Sequence, residues 1–311
     1  METKVFAARI RNFNELENSS SGGMFTALSD YFIENGDYVL CSIYNYQLHQ
    51  IEFRIIDNKS DRDQARGSKY FQSKIGNSFK QAEELLQKNQ DKKILFVGMG
   101  CQAEGFRRFC ELKKLIDRVW IVDIICTSNP SPKLWRDYIT RFDDITKISF
   151  KDKRNGWNQP TAIVVDNGKE KSIGDWLRIF YSHNADKPSC AECRFTSTVR
   201  KIDMTIGDFW HIEKSIPEFY NEKGNSVVLI YTERGLDLFE NVKNKLEWIE
   251  SDTNACWQNR LYTPPGSPIT RKAFWKDYRK GGVDLVLKKY QTFPIWAKII
   301  LKLKNVYKRF L

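Results

Sequence analysis

The sequence predicts an α/β fold: a wound, mostly parallel sheet, a smaller α+β portion and a C-terminal amphipathic helix. Three observations predict it. From about residue 20 to 145, β-rich runs alternate with helix-patterned segments, the order of a parallel wound core. From residue 146 the texture changes to short alternating runs such as KISFKDK, TAIVVDNG and VVLIYTERG, with frequent turns. Near the end, apolar residues recur at helical spacing. The expected regions are therefore an α/β core over 1–145, an α+β portion over 146–265 and a basic helical region over 266–311.

Each element has its own reason. SSSGGMFTALSDYFIENG (19–36) is a polar, glycine-containing turn entering a helix that stops at Gly36. YVLCSIY and QIEFRIID are strands by their β-branched and aromatic content. RGSKYFQSKIG (66–76) is a basic loop, and NSFKQAEELLQK is a helix capped by Asn77 or Ser78. A strand over 94–97 then meets GMGCQ (98–102), a glycine turn that opens a helix through Lys114. RVWIVDIIC is a second buried strand, and TSNPSPKLWRDYITRF is a turn entering another helix.

Composition narrows the function. Hydrophobic residues are 41% of 311, enough for a core and too many for a disordered chain. The formal charge of +11 favours anionic partners. A nucleic-acid binder is not expected, because the basic residues form no recognition motif. METKVFAARIRNF has no apolar signal core, and no apolar stretch reaches the ~20 residues of a spanning helix. A cytoplasmic protein is expected, with the inner face of the membrane as a second place.

Seven cysteines in a reducing compartment point to metal or redox chemistry rather than disulfides. Cys190 and Cys193 form the sole C-x-x-C pair. Cys101 follows the strand over 94–97, and Cys126 ends the strand over 119–125. If those strands flank one crossover, both thiols lie at the carboxyl edge where open α/β sheets build sites. Four such thiolates suit zinc or an iron–sulfur cluster. Cys41, Cys110 and Cys256 read as structural. The competing reading of Gly98-x-Gly100-x-x-Ala103 is a dinucleotide turn with Asp123 as its acidic partner, but the strand continues past Asp123.

Several ordered motifs then converge. SSSGGMFTAL (19–28), RGSKYFQS (66–73), GMGCQAEGF (98–106), VDIICTSNPSPKLW (122–135), KPSCAECRF (187–195), DMTIGDFW (203–210) and GNSVVLIYTERG (224–235) together resemble the coenzyme F420 hydrogenase/dehydrogenase beta-subunit family. The resemblance covers about residues 19–240 and implies an iron–sulfur flavoprotein that passes electrons between a cluster, FAD and a partner or deazaflavin. Many bacterial relatives occur in polysaccharide biosynthesis, and this chain lacks the N-terminal ferredoxin-like module of many members. It also departs locally: Met99 and Gly100 replace the usual Thr and Pro of the cysteine turn, and Ser128 replaces a glycine.

The resemblance implies one 4Fe–4S cluster on Cys101, Cys126, Cys190 and Cys193, where soft thiolates offset the charge of the irons. It also implies FAD. Ser19, Ser20, Ser21, Gly22 and Gly23 open a helix whose N–H groups suit a pyrophosphate, and Arg66, Ser68, Lys69 and Tyr70 come from a loop expected at the same site. Asp203 and Asp208 are candidates for catalysis or positioning; His49, His183 and His211 are scattered. The expected function is an oxidoreductase fed by a donor such as a separate ferredoxin and acting on a small-molecule or glycan-precursor substrate. The alternatives are a nucleotide-sugar or glycan-processing enzyme with structural zinc, and a non-catalytic electron-transfer subunit. Residues 294–311 place Ile295, Trp296, Ile299, Ile300, Leu303, Val306, Tyr307 and Phe310 on one face, with lysines mostly off it. A helix of that kind suits an anionic membrane surface.

Overall fold

The computed structural model describes residues 1–290. In chain order, β1 (Lys4–Ile10) leads to helix α1 (Met24–Glu34), and β2 (Tyr38–Asn45) and β3 (Gln50–Ile56) form a hairpin. Helices α2 (Lys59–Ala65) and α3 (Ser78–Lys88) follow. Next, β4 (Ile94–Met99), α4 (Gly100–Leu112) and β5 (Val119–Ile124) make one crossover unit, succeeded by α5 (Pro132–Ile139). The second sheet is built from β6 (Ile145–Asp152), β7 (Thr161–Asp166) and β8 (Lys169–Ser172), with α6 (Gly174–Tyr181) after it. The chain then returns through β9 (Met204–Asp208), β10 (Ser226–Ile230), α7 (Glu233–Val242) and β11 (Leu246–Ser251), and α8 (Arg271–Tyr290) closes the described part.

The eight-stranded sheet has the order β11-β1-β10-β9-β5-β4-β2-β3. Its centre is parallel, β2 to β4, β4 to β5 and β5 to β9. The other four pairings are antiparallel. The expected mostly parallel sheet is therefore wrong: the sheet is mixed and mostly antiparallel. The reason lies in β1. Strands β10 and β11 run the same way on either side of a crossover helix, as alternation suggests, but β1 inserts between them and pairs antiparallel with both. An order of elements along the chain cannot show which distant strand fills such a gap. The run VVLIY, read with the smaller portion, is β10 of the main sheet.

Strand β1 is built for that central place. Val5 and Ala7 face one core layer, and Phe6, Ala8 and Ile10 face the other. An apolar run buried on both faces suits an interior strand. On the first face Phe53, Phe96 and Phe106 stack at 5.3 and 4.8 Å between ring centres, worth about 0.5–1.5 kcal/mol per pair beyond area burial. A third core joins the antiparallel sheet β6-β7-β8 to α5, α6 and α8, around Trp135, Trp176 and Phe274. Residues 294–311, expected to form the amphipathic helix, lie outside the described residues. No described helix is long and apolar enough to cross a membrane.

Candidate functional site

The carboxyl ends of β4, β5 and β9, the start of β10 and the N-terminus of α1 surround a cavity of about 250 Å³. It is lined by Ser19, Ser20, Ser21 and Gly23, and by Arg66, Ser68, Lys69 and Tyr70. Gly98, Met99, Cys126 and Asp208 complete its floor and far wall. Two sequence segments expected to share a site thus meet across one space.

The serine run divides its labour. Ser19 Oγ donates to Glu15 O at 2.7 Å and Ser21 Oγ to Asn225 O at 2.8 Å, so both fasten the loop. Ser20 Oγ is buried without a partner among the described residues. Gly22 is required by packing: a Cβ there would stand 2.4 Å from Ala8 O. Gly23 is required by conformation, with φ +85°, and a Cβ would also meet Ile10 Cγ2 at 2.7 Å. Helix α1 begins with no side-chain cap and no acidic residue in its first turn. An uncapped N-terminus beside an unpartnered hydroxyl is an anion-binding arrangement.

Across the cavity, Arg66 is not a free donor. Its guanidinium pairs with Glu15 and, at 2.7 Å, with Asp63. Lys69 is different: its Nζ donates to the carbonyls of Ala65, Arg66 and Gly67 at 2.6, 3.3 and 3.1 Å. No carboxylate pairs with it among the described residues. Burial pulls its pKa down to about 8, against a smaller upward pull from Cys41, although its side chain still reaches the cavity wall. Tyr70 stacks on Phe180 at 4.1 Å. Burial pushes its hydroxyl well above the usual tyrosine range.

The four expected cysteines come from three places that specific contacts draw together. Cys101 is the second residue of α4, and Cys126 follows β5. The loop after β5 and the loop before the C-x-x-C run side by side, with Lys187 N donating to Asn129 O at 3.3 Å and Ser131 N to Ala185 O at 3.0 Å. Ser128 donates its hydroxyl to buried Asp186 and so ties the same two loops. Beyond Cys193 the chain packs on the cysteine turn itself. A Cβ on Gly100 would meet Asp123 Oδ2 at 2.9 Å, Phe195 Cβ at 3.0 Å and Arg200 Nη1 at 3.1 Å. That explains the second glycine of GMGCQ: it admits the Arg200–Asp123 ion pair.

Burial and then the neighbouring thiols raise the Cys126 pKa, with Cys101, Cys190 and Cys193 all contributing. Cys190 is pushed up to about 11 by burial, then by Asp186, Cys193 and Cys101. The four are thus electrostatic neighbours. No three His, Cys, Asp or Glu side chains among the described residues converge closely enough to hold a single metal ion. All seven cysteines are free thiols. Cys41, Cys110 and Cys256 are buried, and burial raises each to about 12.

Of the two aspartates, Asp208 lies in the cavity and Asp203 does not. Asp203 accepts from Ile121 N and from Thr232 Oγ1, both at 2.8 Å, joining β5, β9 and α7. Asp208 is the one carboxylate among the lining residues. Its Oδ1 accepts from Lys151 Nζ at 2.5 Å and Trp157 Nε1 at 2.7 Å. Lys151 is buried against Trp157 and Trp210, whose rings stack at 5.0 Å. Asp123 is no ribose ligand. It is fully buried, bonded to Arg200 and to Thr205 Oγ1 at 2.6 Å, and burial pushes it up to about 6.

Sequence reading did not single out Lys151, Arg200 or Arg260. Arg260 approaches the thiols from the segment after β11 and bonds His183 Nε2 at 3.2 Å, while His183 Nδ1 meets Asp186 at 2.9 Å. No local pattern marks these residues, because their partners are 57 to 77 positions away.

Residues 91–254 match the family model that describes the C terminus of the coenzyme F420 hydrogenase/dehydrogenase beta subunit. The stretch is just over half of the 311 residues and contains all four cysteines. The fold is similar to a chain in a solved structure of the xenon-derivatised F420-reducing NiFe hydrogenase complex from Methanosarcina barkeri. The TM-score is 0.57 at 19% identity, covering 92% of this chain and 90% of that one. No curated protein matches the sequence.

Proposed function

This chain belongs to the coenzyme F420 hydrogenase/dehydrogenase beta-subunit family, and on that footing we propose that it is an electron-transfer flavoprotein. A 4Fe–4S cluster would be held by Cys101, Cys126, Cys190 and Cys193, and FAD by the cavity. The single observation that carries the reading is the position of Cys126, which belongs to the thiol set and also lines the cavity.

The donor set fits the cluster. A cluster takes each thiolate at a separate iron, so its four sulfurs need not converge on one point as zinc ligands do. Burial first, and then neighbouring thiols, raise the pKa of Cys101, Cys126 and Cys190, and a positive centre would favour their thiolate form. The cavity fits a flavin dinucleotide in part: 250 Å³ falls just below the about 300–1,000 Å³ of common ligand pockets, which leaves some of the molecule on the open rim. Ser20, the first N–H groups of α1 and the Lys69 charge would hold the phosphates. Asp208, held in place by Lys151 and Trp157, brings a carboxyl group to the cavity, where it would orient a donor group.

A bound flavin exchanges a hydride or single electrons, whereas a cluster passes one electron at a time. The chain would draw electrons from a redox partner such as a separate ferredoxin, and a glycan precursor is the proposed class of substrate. Anaerobically purified protein is expected to contain iron, acid-labile sulfide and flavin, and Cys126→Ala to lose the iron and sulfide. Gly23→Val, which closes the cradle, should lose the flavin while retaining iron. Zinc alone in anaerobically reconstituted protein would overturn the cluster assignment.

A further inference from the structure

A second surface lies away from this cavity. The first part of α8 buries Phe274 and Tyr278 in the third core. At 100° per residue, Lys272, Lys276 and Arg279 fall together on the opposite face. All three are exposed. Lys289, beyond the break in α8 at Gly281 and Gly282, pairs with Asp277 at 2.9 Å, but these three have no carboxylate within ion-pair distance among the described residues. With Ile269 and Trp275 they line a shallow groove of about 850 Å³. Ile269 is 89% exposed, the most exposed of the large apolar side chains among the described residues.

The combination is specific. A solvated helix face needs lysines but no apolar side chain standing among them. A platform for single-stranded nucleic acid stacks bases on open aromatic rings, whereas Trp275 is half-buried with Phe274 and Tyr278 edge-on against it at 5.5 and 5.4 Å. An anionic bilayer requires only a line of cations and an apolar residue that enters the headgroup layer without a shaped pocket. The sequence beyond Tyr290 adds lysines and no Asp or Glu, so its charge does not complement the stripe.

We propose that this face of α8, with Ile269 as its apolar contact, docks the protein on an anionic lipid bilayer. The test uses the intact chain and vesicles of phosphatidylglycerol and phosphatidylcholine in equal parts, read by co-sedimentation. Wild-type protein is expected to bind at low salt, to release as salt rises, and to ignore pure phosphatidylcholine. The triple variant Lys272→Gln/Lys276→Gln/Arg279→Gln should bind roughly 100-fold more weakly, at about 1 kcal/mol per cation. Its circular dichroism should be unchanged, because none of the three is buried. Ile269→Ser should remove the binding that persists at higher salt. Equal binding by the triple variant and wild type overturns the assignment of the face. Release of the protein from vesicles by equimolar oligonucleotide phosphate overturns the assignment of the lipid.

Discussion

The parallel centre and the antiparallel flank of the main sheet are both thoroughly buried, yet only the centre carries most of the candidate site at its ends. Strands β4, β5 and β9 run the same way, so Met99, Cys126 and Asp208 all arrive at one edge. In the flank, directions alternate. Strand β10 presents its first residue, Ser226, whose Oγ accepts from Gly22 N at 2.9 Å, and β1 and β11 contribute no lining residue. A parallel arrangement collects successive loops at one rim; an antiparallel flank sends them alternately to both. The centre therefore builds the site and the flank closes it.

The largest effect should separate the two regions. Arg200→Ala leaves Asp123 buried without its cation, an expected loss of about 3–5 kcal/mol in stability, together with the anchor of the C-x-x-C loop on Gly100. Iron content per folded molecule should fall with it. Leu229→Ala in the flank should cost about 2–5 kcal/mol through a cavity, with iron and flavin per folded molecule unchanged. Chemical denaturation alongside cofactor analysis reads both. Should Leu229→Ala strip the cofactors from folded protein, the division between site and scaffold is mistaken.

A smaller effect is expected at Ser128→Ala, which leaves a buried oxygen of Asp186 short of a donor. The expected cost is about 1.5–3 kcal/mol, with faster loss of iron to a chelator if the two loops it ties carry the proposed ligands. Unchanged chelation kinetics would mean that the backbone bridge alone sets the loop geometry.

Lys69 gives the smallest and most diagnostic change. All its N–H bonds are spent on carbonyls, so toward the cavity it acts as a charge rather than a donor. With its pKa lowered to about 8 by burial, it is charged below that pH, and a bound phosphate would raise the value again. Flavin affinity should thus be fullest below pH 8 and decline as pH rises through it. Lys69→Met should bind flavin about 10-fold more weakly at pH 7, with that pH dependence gone. A wild-type affinity that stays flat from pH 7 to 9.5 would place the phosphates elsewhere.

Much of the site was legible because it is local. A strand, a glycine turn and a helix are adjacent in sequence, so the place of Cys101 follows from GMGCQ, and that of Cys126 from the next strand. The serine–glycine run and the RGSKY loop carry their own turn chemistry. What each residue does within them was less legible. Ser19, Ser21 and Arg66 fasten the walls, while Ser20 lines the cavity without a partner and Lys69 without a paired carboxylate among the described residues, a division set by Glu15, Asp63 and Asn225 rather than by spacing. Asp203 and Asp208 look alike in DMTIGDFW, five residues apart at opposite ends of β9.

By itself the sequence determined the alternation of elements, the buried strands, the carboxyl-edge position of two thiols and the excess of basic charge, because each depends on periodicity, turn residues or counting. Only the tertiary structure decided that β1 would part β10 from β11 and make the sheet mostly antiparallel. It alone brought the C-x-x-C loop against Gly100 through an ion pair spanning 77 positions, and set Lys151 beneath Asp208. Periodicity is written over a few residues, whereas pairing between distant strands and buried charges is settled by which arrangement leaves the fewest polar groups unmatched.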